Sequence, residues 1–209
     1  MDLILQQRVV PVTVIDRAED AVPLAEALTA GGLNIIEITF RTAAAVEAIR
    51  RIRRALPDML VGAGTLLSPQ QVDEAVQAGA RFGVAPGLHE PVVRRAAELK
   101  LPFVPGVLTP SEIEQALAWG LKLLKFFPAE PAGGVKMLKA LAGPYAQTGL
   151  RFIPLGGVGP ANAADYLALP QVAAVGGSWI AERSAIAARD WPTITRLAAE
   201  AVKLAAPRA

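Results

Sequence analysis

Short apolar runs alternate with amphipathic stretches eight times along the chain. A strand followed by a helix and then by another strand calls for a parallel sheet covered by helices. The strand runs are 9–15, 34–40, 60–66, 81–88, 102–108, 121–127, 151–158 and 172–180. The helical stretches include 18–30, 43–55, 69–78, 90–99, 110–119, 134–142 and 160–167. Proline follows Ser68 and Thr109, the order expected where a helix starts. Gly31, Gly79 and Gly120 stand where helix C-terminal caps are expected. Eight units is the count of a closed (β/α)8 TIM barrel. An open doubly wound sheet is the alternative, weakened because no Gly-x-Gly-x-x-Gly follows the first strand. Residues 1–8 read as a short N-terminal helix. No linker, low-complexity stretch or charge block interrupts the pattern, so residues 1–209 read as one α/β domain.

The composition can fill such a core, with 53% hydrophobic and 19% charged residues. Net charge is +2, from 21 basic and 19 acidic residues, too small an excess to imply nucleic acid. The one dense basic cluster, Arg50-Arg51-Ile52-Arg53-Arg54, is interleaved with apolar Val46, Ile49, Ile52 and Leu56. That is the pattern of a solvated helix face, and 5% aromatic content offers few platforms for bases. There is no cysteine, which excludes disulfides and thiolate metal sites and fits a cytoplasmic chain. His89 is the only histidine. A histidine zinc cluster is therefore excluded, and a Ser-His-Asp triad would have to use His89. His89 follows the Pro86-Gly87 turn and reads as an exposed loop residue near the mouth. No apolar run is long enough to span a bilayer. The N-terminal segment lacks the basic and apolar regions of a signal peptide.

Lys125 stands inside an apolar, strand-like run, Leu123-Leu124-Lys125-Phe126-Phe127-Pro128-Ala129-Glu130. Burial favours the neutral amine, a nucleophile toward carbonyl carbon; the structural alternative is a stem that snorkels to water. Strand side chains alternate faces. On the second strand Ile36, Ile38 and Phe40 share one face, while Ile35, Glu37, Thr39 and Arg41 share the other. With the apolar set on the helices, Glu37 points into the barrel. A carboxylate there is costly unless paired or used. Either Glu37 and Arg41 form a structural pair, or Glu37 is a general acid/base and Arg41 faces a substrate anion. The same parity groups Leu123, Lys125 and Phe127, so Lys125 can share the interior with Glu37.

Glycines collect at the strand ends: Gly62-Ala63-Gly64-Thr65, Ala85-Pro86-Gly87-Leu88 and Pro105-Gly106. They admit a ligand or a neighbouring backbone, or merely suit the turns. The seventh strand ends Gly156-Gly157-Val158 and the eighth Gly176-Gly177-Ser178-Trp179. Loops after these two strands commonly bind phosphate in this fold. Backbone N–H groups, a following helix N-terminus and the Ser178 hydroxyl would supply donors; tight strand-to-helix packing is the bland explanation. Trp119, Trp179 and Trp191 read as packing anchors. Gly133-Gly134 reads as shaping a loop over the site.

Several segments together resemble the 2-dehydro-3-deoxy-6-phosphogluconate / 4-hydroxy-2-oxoglutarate (KDPG/KHG) aldolase family. They are Val9-Val10-Pro11-Val12, Glu37-Ile38-Thr39-Phe40-Arg41-Thr42, Val61-Gly62-Ala63-Gly64-Thr65, Ala85-Pro86-Gly87-Leu88, Lys125-Phe126-Phe127-Pro128-Ala129-Glu130 and Gly176-Gly177-Ser178-Trp179. The resemblance implies a class I aldolase, usually a homotrimer, with no metal or other cofactor and with a 2-keto acid (phospho)sugar as substrate. It would cleave KDPG to pyruvate and glyceraldehyde 3-phosphate, and 4-hydroxy-2-oxoglutarate to pyruvate and glyoxylate. By carry-over, Lys125 is the Schiff-base lysine and Glu37 the proton-transferring residue. Arg41, Thr65 and Pro86 line the carboxylate end, Phe127 packs on the keto acid, and Gly156, Gly157, Gly177 and Ser178 hold the phosphate. Leu155 stands where the family commonly has threonine, and Ala85 where serine is frequent. Leucine cannot bond a substrate hydroxyl, which implies relaxed choice at C4 and an alternative activity on the galactonate epimer. The other readings are a metal-assisted lyase and a phosphate-ligand-binding barrel without catalysis.

Overall fold

The computed structural model describes residues 2–206. Strands form in all eight expected places but are shorter than their apolar runs: β1 Val9–Thr13, β2 Ile35–Thr39, β3 Leu60–Gly64, β4 Phe82–Val84, β5 Phe103–Val104, β6 Gly106–Val107, β7 Leu123–Phe126, β8 Arg151–Pro154 and β9 Val175–Gly177. The expected fifth strand is two pieces, β5 and β6. Pro105 between them has no N–H to give to a ladder. The helices are α1 Asp2–Gln7, α2 Ala21–Ala30, α3 Ala45–Ala55, α4 Pro69–Ala78, α5 Glu90–Glu98, α6 Pro110–Ala118, α7 Gly134–Ala142, α8 Ala163–Leu167, α9 Arg183–Ala187 and α10 Trp191–Ala205.

Local chemistry explains several of these boundaries. Thr109 accepts from Glu112 N–H at 3.3 Å while the Glu112 carboxylate accepts from Thr109 N–H at 2.8 Å, a capping box that starts α6. Ser68 accepts from Gln71 N–H at 3.3 Å ahead of Pro69 in α4. Gly79 ends α4 in the left-handed region, with φ 94°. Gly31 does not: it stays right-handed, and Gly32 makes the turn with φ 92°. A Cβ at Gly31 would lie 2.4 Å from Ala198 Cβ, so this glycine serves the contact between α2 and α10. The sequence reading omitted α9 and α10.

All strands are parallel, in a curled six-stranded sheet of order β5-β4-β3-β2-β1-β9 and a three-stranded sheet β6-β7-β8. Pro105 links one end of the two sheets. At the other end an isolated parallel bridge joins Phe152 to Val172, with Ala173 N–H donating to Phe152 C=O at 2.9 Å. The apolar side chains divide as the pleat requires. Ile36, Ile38, Leu124 and Phe126 join the large cluster under the helices. Val10, Ile35, Phe82, Val84, Val104, Ile153 and Leu155 form a second cluster inside the strands, and Ile4 from α1 joins it.

Candidate active site

Strand glycines set the positions of the polar groups. A Cβ on Gly62 would lie 2.2 Å from the Phe82 ring, one on Gly64 2.0 Å from Glu37 Oε1, and one on Gly106 2.0 Å from the Pro86 carbonyl oxygen. The room these glycines leave is therefore filled by the protein itself. In particular, Gly64 on β3 makes the berth of the Glu37 carboxylate on β2. Hydroxyls stitch the adjoining strands, with Thr13 donating to Glu37 C=O and Thr39 to Thr13 C=O, both at 2.9 Å.

Glu37 and Lys125 are both buried, at 2% and 6% exposure, and face the same interior. Burial raises the Glu37 pKa, opposed by the Lys125 charge. Burial lowers the Lys125 pKa, opposed by the Glu37 charge. Both shifts favour the neutral forms. Glu37 Oε1 has no hydrogen-bond partner among the described residues. No ion pair joins Glu37 to Arg41 among the described residues, so the structural-pair alternative does not hold. Arg41 is exposed at the rim. Lys125 Nζ lies 4.7 Å from the centroid of the Phe127 ring.

All ten candidates, Glu37, Arg41, Thr65, Pro86, Lys125, Phe127, Gly156, Gly157, Gly177 and Ser178, line one cavity of about 440 Å³. Pockets of this size suit a small organic ligand. Val12, Val14, Thr39 and Val158 also line it and were not singled out as site residues. Inward parity on the second strand had marked Thr39; the same rule on the first would have found the two valines. Leu155 presents its apolar side chain to the cavity. Ala85 does not line it and packs in the outer cluster, so that departure removes no donor from the cavity wall. Thr65 has φ 59°, a strained backbone for a β-branched residue and a mark of functional positions.

Gly156 and Gly157 both have positive φ, 92° and 81°, which turns the chain after β8. After the first glycine pair α8 starts at Ala163, not at the expected residue 160, and after the second pair α9 starts at Arg183. No helix N-terminus directly follows either pair, so any backbone donors there belong to the turns themselves. Gly133 and Gly134 do not line the cavity. His89 is exposed at the start of α5 and lies outside the cavity lining. Trp119, Trp179 and Trp191 are partly buried against the outer core. Among the described residues no group of three or more His, Cys, Asp and Glu side chains could hold a metal ion.

Comparison with known proteins identifies the family. Residues 2–197 match the family described as KDPG and KHG aldolase. The KHG/KDPG aldolase of Escherichia coli (strain K12) is 51% identical over 195 residues, 93% of this chain and 91% of that protein. The solved KDPG aldolase of Legionella pneumophila, with pyruvate captured at low pH as a covalent carbinolamine intermediate, superposes with a TM-score of 0.90 at 43% identity, covering 94% of this chain and 95% of that one. The aldolase of Zymomonas mobilis ZM4 with 3-phosphoglycerate gives 0.87 at 42% identity, covering 96% and 93%. The chain belongs to the KDPG and KHG aldolase family.

Proposed function

We propose that the protein is a class I aldolase that cleaves KDPG to pyruvate and glyceraldehyde 3-phosphate, and 4-hydroxy-2-oxoglutarate to pyruvate and glyoxylate. The observation that carries this is the placement of buried Lys125 and buried Glu37, whose Oε1 has no partner among the described residues, at one cavity. Desolvation favours neutral Lys125, whose lone pair attacks the C2 ketone to form a carbinolamine. Glu37, favoured in its protonated form by burial, donates a proton to the departing hydroxyl, and water leaves. Glu37, now a carboxylate, takes the C4 hydroxyl proton as the C3–C4 electrons move into the protonated imine. The aldehyde departs and an enamine remains. Glu37 protonates C3, and water releases pyruvate from Lys125. Proton transfer by a positioned group contributes about 10²–10⁴-fold.

Arg41 answers the C1 carboxylate at the rim, with Thr65 and Pro86 beside it, and Phe127 covers the keto acid. Gly156, Gly157, Gly177 and Ser178 receive the phosphate. Leu155 supports a second reading, in which the galactonate epimer is also cleaved. Its side chain lines the cavity and offers no polar atom to a C4 hydroxyl. A binding-only protein has no use for an unpaired buried carboxylate, which costs stability.

The described residues form one domain in this reading, and the two sheets close as a single (β/α)8 barrel. The continuity through Pro105 and the Phe152–Val172 bridge support that closure. The family resemblance supports a homotrimer, and Leu67, 55% exposed after β3, offers an apolar contact for it. A cytoplasmic location accords with metabolic substrates.

The test is intact mass and peptide mapping after incubation with pyruvate and sodium borohydride. A reduced pyruvyl adduct on Lys125, absent from Lys125→Ala, is expected. An adduct that persists in Lys125→Ala would overturn the assignment.

A further inference from the structure

Glu130 closes the Lys-Phe-Phe-Pro-Ala-Glu segment and has no part in the mechanism above. Its surroundings are nonetheless specific. The Tyr166 hydroxyl, on α8, donates to Glu130 Oε1, and the Tyr166 side chain is 0% exposed. Burial and the Glu130 carboxylate both hold the phenol in its protonated, donating form. Two glycines make room for this pair. A Cβ on Gly134, whose φ is 61°, would lie 3.0 Å from Glu130 Oε1 and 3.5 Å from Tyr166 Oη. A Cβ on Gly157 would lie 2.6 Å from Glu130 Cβ. The Glu130 side chain thus packs directly behind the turn that follows β8.

The same turn is tied from behind at three more points. Glu130 N–H donates to Gly156 C=O at 2.9 Å. Asn162 Nδ2 donates to Gly157 C=O at 3.1 Å, and Asn162 Oδ1 accepts from Gly159 N–H at 2.8 Å. The carbonyls of Gly156 and Gly157 are therefore occupied by the protein. The N–H groups of Gly156, Gly157 and Val158 donate to no backbone acceptor among the described residues. All three residues line the cavity.

We propose that Glu130, Tyr166 and Asn162 are positioning residues that hold the Gly156–Gly157–Val158 peptides as an anion cradle, and so set the preference for phosphorylated over unphosphorylated 2-keto acids. The proposal rests on the aldolase reading. None of the three lines the cavity; they act through the turn. Losing the tyrosine hydroxyl frees the Glu130 side chain to move, and the turn it supports loosens. The imine chemistry at Lys125 and Glu37 does not depend on that turn.

The test is steady-state cleavage of KDPG and of 4-hydroxy-2-oxoglutarate by wild type, Tyr166→Phe, Glu130→Gln and Asn162→Ala, with inhibition by inorganic phosphate measured in each. Tyr166→Phe keeps the buried ring; Glu130→Gln keeps an accepting oxygen. For Tyr166→Phe and Asn162→Ala the expected result is an approximately five- to tenfold rise in the KM for KDPG, the factor a single buried hydrogen bond sets. The phosphate inhibition constant rises in parallel, kcat holds, and kcat/KM on 4-hydroxy-2-oxoglutarate is unchanged. Glu130→Gln, which keeps an oxygen to accept from Tyr166, shifts the same two constants in the same direction but by less than Tyr166→Phe does. Unchanged constants in both variants, or equal proportional losses on both substrates, would overturn the proposal. Wild-type protein that cleaves neither substrate would instead sink the aldolase reading, and direct binding of inorganic phosphate to wild type and the same variants, by calorimetry, would still test the cradle.

Discussion

Gly64→Ala tests the placement of Glu37 most directly, because it moves the carboxylate without touching it. The glycine does not lie in the left-handed region, so alanine meets no backbone strain there. Its Cβ would come within 2.0 Å of Glu37 Oε1, 2.7 Å of Cδ and 2.8 Å of Cγ. Restoring an ordinary contact of 3.4 Å requires the oxygen to retreat by about 1.4 Å. A misplacement near 1 Å costs on the order of 10²-fold in rate, and overpacking of this kind costs about 1–3 kcal/mol of stability. Two assays separate the chemistry. Exchange of pyruvate methyl protons in D2O, followed by NMR, reads proton transfer at C3. Borohydride trapping reads imine formation on Lys125. We expect exchange to fall about 100-fold while overnight trapping still goes to completion. Gly87→Ala is the control, since nothing lies within 4 Å of a Cβ there. Wild-type exchange in a folded Gly64→Ala protein would refute the position assigned to Glu37. Loss of overnight trapping in step with exchange would mean that the disturbance had reached imine formation and was not confined to proton transfer at C3.

Three further outcomes are expected. The pH midpoint for trapping should lie below the ordinary lysine value near 10.5 and fall further in Glu37→Gln, because burial lowers the Lys125 pKa and the Glu37 charge opposes it; an upward shift in the variant would contradict this electrostatic account. The double variant Glu37→Gln with Lys125→Met should be inactive yet about 1–4 kcal/mol more stable near neutral pH, as when buried charges give way to uncharged groups. Glu37 has a raised folded pKa, so its penalty is absent below the ordinary value near 4.5 and grows as pH rises from there. Lys125 has a lowered folded pKa, so its penalty lifts as pH rises toward 10.5. The double variant's advantage in chemical denaturation should therefore shrink toward both ends of that window, and a constant advantage from pH 4 to pH 11, an interval that roughly brackets the two ordinary values, would count against it. Leu155→Thr should sharpen the choice between the gluconate and galactonate epimers by about tenfold or more, read as a ratio of kcat/KM; an unchanged ratio would remove Leu155 from C4 recognition.

Much of this site was legible in the sequence because a strand side chain alternates with a period of two. That rule alone put Ile35 and Glu37 on one face of the second strand and Lys125 with Phe127 on one face of the sixth. The structure places all four on the inner side. Glycine pairs after the last two strands marked the turn that Gly156 and Gly157 make with positive φ. Element ends were less legible, since apolar character continues past the last ladder bond. Residues 81–88 read as one run, but only Phe82–Val84 pair as β4. α10 was overlooked, although its register against α2 explains why Gly31 must lack a side chain.

By itself, the sequence determined which residue types stand at which strand parity, and so that an amine and a carboxylate could share an apolar interior. It also determined the family, through segments spread along almost the whole chain. Only the tertiary structure decided what each group meets there. It left Glu37 Oε1 without a partner instead of bonded to Arg41, four residues away. It assigned the space of Gly62, Gly64 and Gly106 to Phe82, Glu37 and the Pro86 carbonyl. It joined Tyr166 to Glu130 across 36 positions of chain. Parity and turn chemistry are local properties that a short window of residues carries. Contacts between strands depend on how far each neighbouring strand is staggered and on how side chains share a finite volume, and no local pattern encodes either.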